Sequence, residues 1–224
     1  MATKYRAFGA YNLPCRAYSL KDDLADMSGD QTYRTFIAIE LPAAVRRDIK
    51  QHIDRLRQAF PEVRASWSRE DNLHLTLKFL GDVSVSRIVS LSEACAEATS
   101  NMAPFELVIS GCGTFPPRGR PKVLWIGVRN GTDSSEQQLL RLQTSVEEFC
   151  ERAGFAREPR SYHPHLTIAR LRESKDSRAL ADQHRKMEFP PHAFNVSEIV
   201  LFRSELSSKG SKHTPLSHHR LGSS

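Results

Sequence analysis

Apolar positions begin to recur with structural spacing at Arg34, where RTFIAIE reads as a buried strand. Pro42 follows at the favoured first position of a helix, and Val45, Ile49, Ile53, Leu56 and Phe60 then recur at three- and four-residue steps, the stripe of a core-facing helix. LHLTLKFLG at 73–81 reads as a second strand. Ile88, Leu91, Cys95 and Ala98 repeat the helical spacing, and PFELVISG at 104–111 predicts a third strand. The first half is therefore strand, helix, strand, helix, strand.

The second half repeats that order. KVLWIGV at 122–128 reads as a strand, and a helix follows, opened by Asp133 with Glu136 three residues on as a capping box. Leu139, Leu142, Val146 and Phe149 form its buried stripe, and Gly154 suits its C-terminus. HLTIARL at 165–171, a polar helix from about Asp176 to Met187, and a strand FNVSEIVLF at 194–202 complete the series. Phe36 to Leu124 spans 88 positions, His74 to His165 91, and Phe105 to Phe194 89. A near-constant offset indicates an internal duplication, with repeat 1 at about 34–111 and repeat 2 at about 122–203. The expected fold is α+β and bilobal: two antiparallel sheets with flanking helices, related by a pseudo-two-fold axis around a central cleft.

The two copies match best at His74-Leu75-Thr76-Leu77 and His165-Leu166-Thr167-Ile168. On a strand, residues i and i+2 share a face, so each imidazole travels with one hydroxyl while the aliphatic residues turn into the core. Two imidazoles across a cleft supply one neutral base and one protonated acid. Two hydroxyls can donate hydrogen bonds to anionic oxygens. That set suits in-line displacement at a phosphodiester and needs no metal. A single HxT match carries almost no information; two at corresponding points of a repeat carry a good deal.

With RTFIAIELP, the paired HLTLKFLG and HLTIAR motifs and the intervening GTFPPRGRPKVLWIGV, the chain from about Tyr33 to Leu221 resembles the two-histidine (2H) phosphoesterases. The likeness is strongest to the bacterial and archaeal RNA 2′,3′-cyclic phosphodiesterases first described as 2′-5′ RNA ligases. The resemblance implies metal-independent, cofactor-free opening of a terminal cyclic phosphate, on RNA or a nucleotide, to a 2′-phosphomonoester. It implies His74 as the proton donor to the departing 3′-oxygen and His165 as the proton acceptor from water. Thr76 and Thr167 would hold the phosphate, with Arg170 adding positive charge. Where many members carry a tyrosine, this chain has His213 in GSKHTPL.

Other candidates are weaker. Phe115, Arg118 and Arg120, in the loop between the copies, suit an RNA backbone or base, and a solvated interlobe loop fits them equally. Arg160 and Tyr162, just before the second motif, fit the cleft rim, and a surface role fits them almost as well. Phe79 and Trp125 read as core packing, and His213, His218 and His219 as surface residues of a mobile polar tail. His163 and His165 share a strand face, but the spacing of Asp, Glu and Cys completes no ligand set, so no metal is expected.

Net charge is +6, with 32 Lys and Arg against 26 Asp and Glu, which fits an anionic ligand. Of the 224 residues, 39% are hydrophobic, enough for a core, and no apolar run reaches membrane-spanning length. The four cysteines form no CxxC pair, and the expectation is a cytoplasmic, reduced monomer without membrane attachment. Residues 1–31 show no period and balanced charge and lack the marks of a signal or transit peptide, so a disordered extension is expected. Met27 is a candidate start for translation. Two further functions use the same residues: 2′-5′ RNA ligation, with a 5′-hydroxyl in place of water, and a non-catalytic nucleotide- or RNA-binding module.

Overall fold

The computed structural model describes residues 31–130, 133–172, 176–207 and 210–222, with side chains outside 129–136. The amino-terminal extension, the start at Met27 and the capping-box side chains of Asp133 and Glu136 lie outside the described part.

Among the described residues, nine strands form two antiparallel sheets. The strands are β1 (Thr32–Glu40), β2 (Ala65–Trp67), β3 (His74–Ser84), β4 (Phe105–Phe115), β5 (Val123–Asn130), β6 (His165–Leu171), β7 (His192–Val196), β8 (Glu198–Ser207) and β9 (Gly210–Arg220). The helices are α1 (Ala43–Ala59), α2 (Ile88–Thr99), α3 (Asp133–Arg152) and α4 (Ser177–Lys186). One sheet runs β3-β1-β8-β9 and the other β2-β6-β5-β4-β7. The orders β3-β1-β8 and β6-β5-β4 correspond, which is the pseudo-two-fold in topological form. Each sheet nevertheless takes its third strand from the other half of the chain: β4 leaves the first half for the second sheet, and β8 returns to the first.

That exchange corrects the strand read at 194–202. The segment divides at Ser197, with β7 pairing to β4 in one sheet and β8 to β1 in the other. Both pieces are apolar, so hydrophobicity alone could not mark the break. Pro42 likewise precedes α1 rather than opening it, with its carbonyl accepting the Arg46 N–H at 3.0 Å. The helical stripes behave as their periods require: Val45, Ile49, Ile53 and Leu56, then Ile88, Leu91, Cys95 and Ala98, then Leu139, Leu142 and Val146 are all buried. After α3, Gly154 at φ +80° ends the helix, and the Phe155 N–H returns to the Cys150 carbonyl at 2.8 Å. One apolar cluster runs through both sheets and all four helices.

The C-terminal segment is not a mobile tail. β9 pairs with β8 along its whole length, from Glu198 opposite Arg220 to Ser207 opposite Gly210. Its polar sequence hid it, because a strand at the edge of a sheet, exposed along much of its length, carries little apolar signal.

Candidate functional site

The two motif strands, β3 and β6, occupy matching places in the two sheets, and two short connections hold them together. β2 pairs with β6, placing Ser66 opposite Arg170 and Trp67 opposite Ala169, and the chain then passes through a single turn at Glu70–Asn72 into His74. Ser68 reinforces the first connection, its N–H donating to the Ile168 carbonyl at 2.9 Å and its hydroxyl to the Thr167 carbonyl at 2.7 Å. From the other side Tyr162, just upstream of His165, donates its hydroxyl to the Thr76 carbonyl at 3.0 Å. Its role is thus to bridge the motifs, and burial pushes its phenol well above the ordinary tyrosine range, beyond any acid–base use near neutrality.

Within each strand the same irregularity appears at the same place. Opposite β1, Ala38 pairs with Thr76 and Ile37 with Lys78, so Leu77 is an extra residue; opposite β5, Trp125 pairs with Thr167 and Leu124 with Ala169, so Ile168 is extra. A bulge reverses the alternation beyond it. His165, Thr167 and Arg170 therefore share the cleft face, which explains how a residue five positions after the histidine joins it. Burial first, and the nearby Arg170 charge after it, disfavour the His165 imidazolium.

On β3 the same reversal places Phe79 on the face of His74 and Thr76, in register with Phe36. Phe79 is 48% exposed, with the Arg34 guanidinium 4.9 Å from its ring centroid, so the core placement read from sequence is corrected. Trp125 is likewise on the cleft face, opposite Thr167 and over Gly113, where an added Cβ would lie 2.0 Å from the indole. Only a glycine leaves room for that ring.

Each catalytic candidate is anchored in the same way. His165 Nδ1 lies 2.7 Å from the His163 carbonyl, and since only the nitrogen can donate, Nδ1 carries the hydrogen and Nε2 of the neutral ring keeps its lone pair. His74 makes the corresponding bond to the main chain of Asn72, again two residues upstream. Around His74 the floor is aromatic: Phe36 stacks on it at 4.6 Å between centroids, and His213 meets it edge-on at 5.1 Å. The Asn72 side-chain amide donates to the Ser211 carbonyl at 2.7 Å, fixing β9 and with it His213 beside His74. His213 is therefore part of the site's surroundings, contrary to the surface role expected of it. His219 is buried on the other face of β9, and His218 is half-exposed beside Glu198. Around His165, Phe115 sits edge-on at 4.9 Å.

Burial and the neighbouring His213 push the His74 imidazole down to about 4, and burial also lowers His165. Both rings are thus neutral at pH 7 before an anion arrives. Arg118 and Arg120 are exposed in the loop that leaves Phe115, which closes with the Lys122 N–H on the Phe115 carbonyl at 2.8 Å. Arg160 is held in an exposed ion pair with Glu158. Phe36 and Phe202 escaped sequence reading because β1 and β8 are apolar on both faces, and alternation then gives no indication of which face meets the cleft.

Among the described residues two groups of potential ligands are brought together that sequence spacing did not reveal, each with donor atoms within 4.8 Å of one another: His52, Cys112 and His184, behind the second sheet, and Glu40, Glu198 and His218, largely exposed.

A family model described as the 2′-5′ RNA ligase superfamily matches residues 45–207. The chain is 33% identical over 171 residues to the RNA 2′,3′-cyclic phosphodiesterase of Geobacillus stearothermophilus, a match covering 76% of this chain and 52% of that protein. It therefore spans about half the length of that relative. It is 32% identical over 189 residues to a protein of the same name from Methanothermobacter thermautotrophicus, covering 84% of this chain and 98% of that one. Among solved structures, E. coli LigT complexed with 3′-AMP superposes with a TM-score of 0.65 at 28% identity, covering 85% of this chain and 99% of LigT. TT0787 of Thermus thermophilus gives 0.65 at 26% identity, covering 84% and 97%.

Proposed function

The chain belongs to the 2′-5′ RNA ligase superfamily, and on that premise we propose that it hydrolyses 2′,3′-cyclic phosphate ends of RNA or nucleotides to 2′-phosphomonoesters. The observation that carries this reading is the paired arrangement itself: two histidines, each tied by a ring N–H to the main chain two residues upstream and each sharing a face with a threonine, on corresponding strands.

His165 is the base. Its Nε2 lone pair takes a proton from water as the water oxygen bonds to phosphorus. His74 is the acid, giving its proton to the 3′-oxygen as the phosphorus–O3′ bond breaks, which leaves the phosphate on the 2′-oxygen. The hydroxyls of Thr76 and Thr167 donate to the nonbridging oxygens. Arg170 adds charge beside them, Arg118 and Arg120 meet the RNA backbone, and Tyr162 holds the two strands at working distance. His74 is neutral in the empty site, so it has to take up a proton from solvent as substrate binds: a phosphodiester anion beside a buried imidazole favours its charged form. Ligation would use the same residues with a 5′-hydroxyl replacing water. Water at about 55 M wins unless the acceptor is held in place. A cytoplasmic setting fits the free thiols of Cys95, Cys112 and Cys150.

The test is product chemistry. A short RNA ending in a 2′,3′-cyclic phosphate, incubated with the protein in excess EDTA, should gain one water and yield a terminal phosphate on the 2′-oxygen. A 3′-phosphate product, or turnover that stops with EDTA, contradicts the proposal.

A further inference from the structure

Behind the sheet that carries His165, three residues far apart in the chain converge: His52 on α1, Cys112 on β4 and His184 on α4. His52 and His184 are buried and Cys112 is partly so. Their hydrogen bonds fix the tautomers. His184 Nε2 lies 3.0 Å from the Trp125 carbonyl, which can only accept, so Nε2 carries the hydrogen and Nδ1 of the neutral ring keeps a lone pair. That lone pair accepts from His52 Nε2 at 3.0 Å, and the Cys112 sulfur lies 4.0 Å from the same His52 nitrogen.

We propose that His52 Nε2, Cys112 Sγ and His184 Nδ1 form a structural site for one borderline divalent cation of the Zn²⁺ class, with water in the fourth position. Two imidazoles and a thiolate are the donor set that Zn²⁺ prefers and that Mg²⁺ and Ca²⁺ avoid. Bond lengths of about 2.0–2.1 Å to nitrogen and 2.3 Å to sulfur place tetrahedral donors about 3.3–3.6 Å apart. The His52–His184 separation opens by a few tenths of an ångström to reach that range, and the Cys112–His52 separation closes by about half an ångström.

Part of the outer shell is already built. A metal-bound histidine characteristically donates its other N–H to a carbonyl or carboxylate, and His184 does so to Trp125. The protons balance: on binding, the His52 hydrogen moves from Nε2 to Nδ1, Cys112 releases its thiol proton to solvent, and two metal–nitrogen bonds replace the His52–His184 hydrogen bond. Burial holds both imidazoles below their ordinary range, so both are neutral near pH 7, as ligation requires. The charged neighbours are Arg55 beside His52, Arg185 beside His184 and Glu188 beside Cys112. Opposing that, burial and Glu188 push the thiol up to about 12, a cost that the cation's own charge has to overcome. A bound ion would tie α1 and α4 to β4, next to Gly113 and the strand of Trp125 that pairs with Thr167. It would be a clamp under the second sheet with no part in the phosphodiester chemistry.

The test uses the full chain, reduced, stripped with a chelator and freed of it, then titrated with Co²⁺ or Zn²⁺ alone. The expected result is a thiolate-to-cobalt charge-transfer band that saturates at one equivalent, is displaced by Zn²⁺, is lost in Cys112→Ser and is retained in Cys15→Ser. Zn²⁺ should also raise Tm and shield Cys112 from alkylation, read by peptide mass. No band at one equivalent, or a band that survives in Cys112→Ser, overturns the proposal. If Cys112→Ser does not fold, the wild-type chain decides: Cys112 alkylated equally fast with and without Zn²⁺ refutes the site. Turnover in EDTA is a separate readout, so failure here leaves the phosphodiesterase reading standing.

Discussion

Lys78 is two residues beyond Thr76, and its ammonium is buried. The side chain is 1% exposed and donates to the Glu147 carboxylate at 2.6 Å and the Ala156 carbonyl at 2.8 Å, while Glu147 itself is 8% exposed. The bulge at Leu77 turns Lys78 away from the cleft, so a cation that alternation would place beside the phosphate instead fastens α3 to β3. In Lys78→Met the stem keeps its length, but Glu147 is left charged and buried with only the Glu158 N–H at 3.3 Å and the Gln143 amide at 3.4 Å. Removing one partner of a buried pair costs about 3–5 kcal/mol. For a chain of this size, at about 2–4 °C per kcal/mol, Tm should fall by roughly 6–20 °C. Replacing both partners, in Lys78→Met/Glu147→Leu, leaves no orphaned charge and should recover most of that loss. Urea unfolding followed by the fluorescence of Trp67 and Trp125 measures all three variants. A loss under about 1 kcal/mol in the single variant, or a double variant no more stable than the single, would refute the reasoning.

Other outcomes follow from the same geometry. The productive free enzyme carries one proton on the histidine pair, and both imidazoles titrate below their ordinary range, so kcat/KM should peak on the acid side of pH 6.5 and fall about tenfold per unit well above it; a profile flat or rising between pH 6.5 and 8 contradicts the two-histidine mechanism. His52, His74 and His219 are held down to about 4, so the unfolded chain takes up protons from about pH 6.5 that the native chain refuses until about 4. Stability should therefore fall across that window as pH drops, each group contributing a slope of up to about 1.4 kcal/mol per unit; an equal or higher urea midpoint at pH 5 than at pH 7 would count against it. Tyr162→Phe removes the bond between the motif strands and should cost about 0.5–1.5 kcal/mol of stability, with kcat reduced more than KM is raised; unchanged kcat would show that the bridge does not position the strands.

How much was legible depended on whether a signal was local. Helical stripes, the HLT pairs and Gly154 all speak through near neighbours, and the structure places them as read. The exchange of β4 and β8 between sheets was not legible, because two consecutive apolar strands read as one. The face of Phe79 depended on a bulge, which re-aims a residue without leaving any mark in composition, whereas Arg170, beyond the matching bulge, was placed only through the family resemblance. His52, Cys112 and His184 are separated by whole elements, and their convergence exists only in three dimensions. His213 was visible as a departure from the family pattern, but its polar strand hid the contact with His74 that gives the departure its meaning.

The central claim is that two equivalent histidines perform one metal-free proton transfer each. The most direct measurement is single-turnover cleavage of a cyclic-phosphate-terminated RNA in excess EDTA by the wild type, His74→Ala and His165→Ala, beside direct binding of the product by each. The account predicts a loss of about 10²–10⁴-fold in rate for either variant, with product binding largely retained. A variant that turns over at the wild-type rate would contradict it.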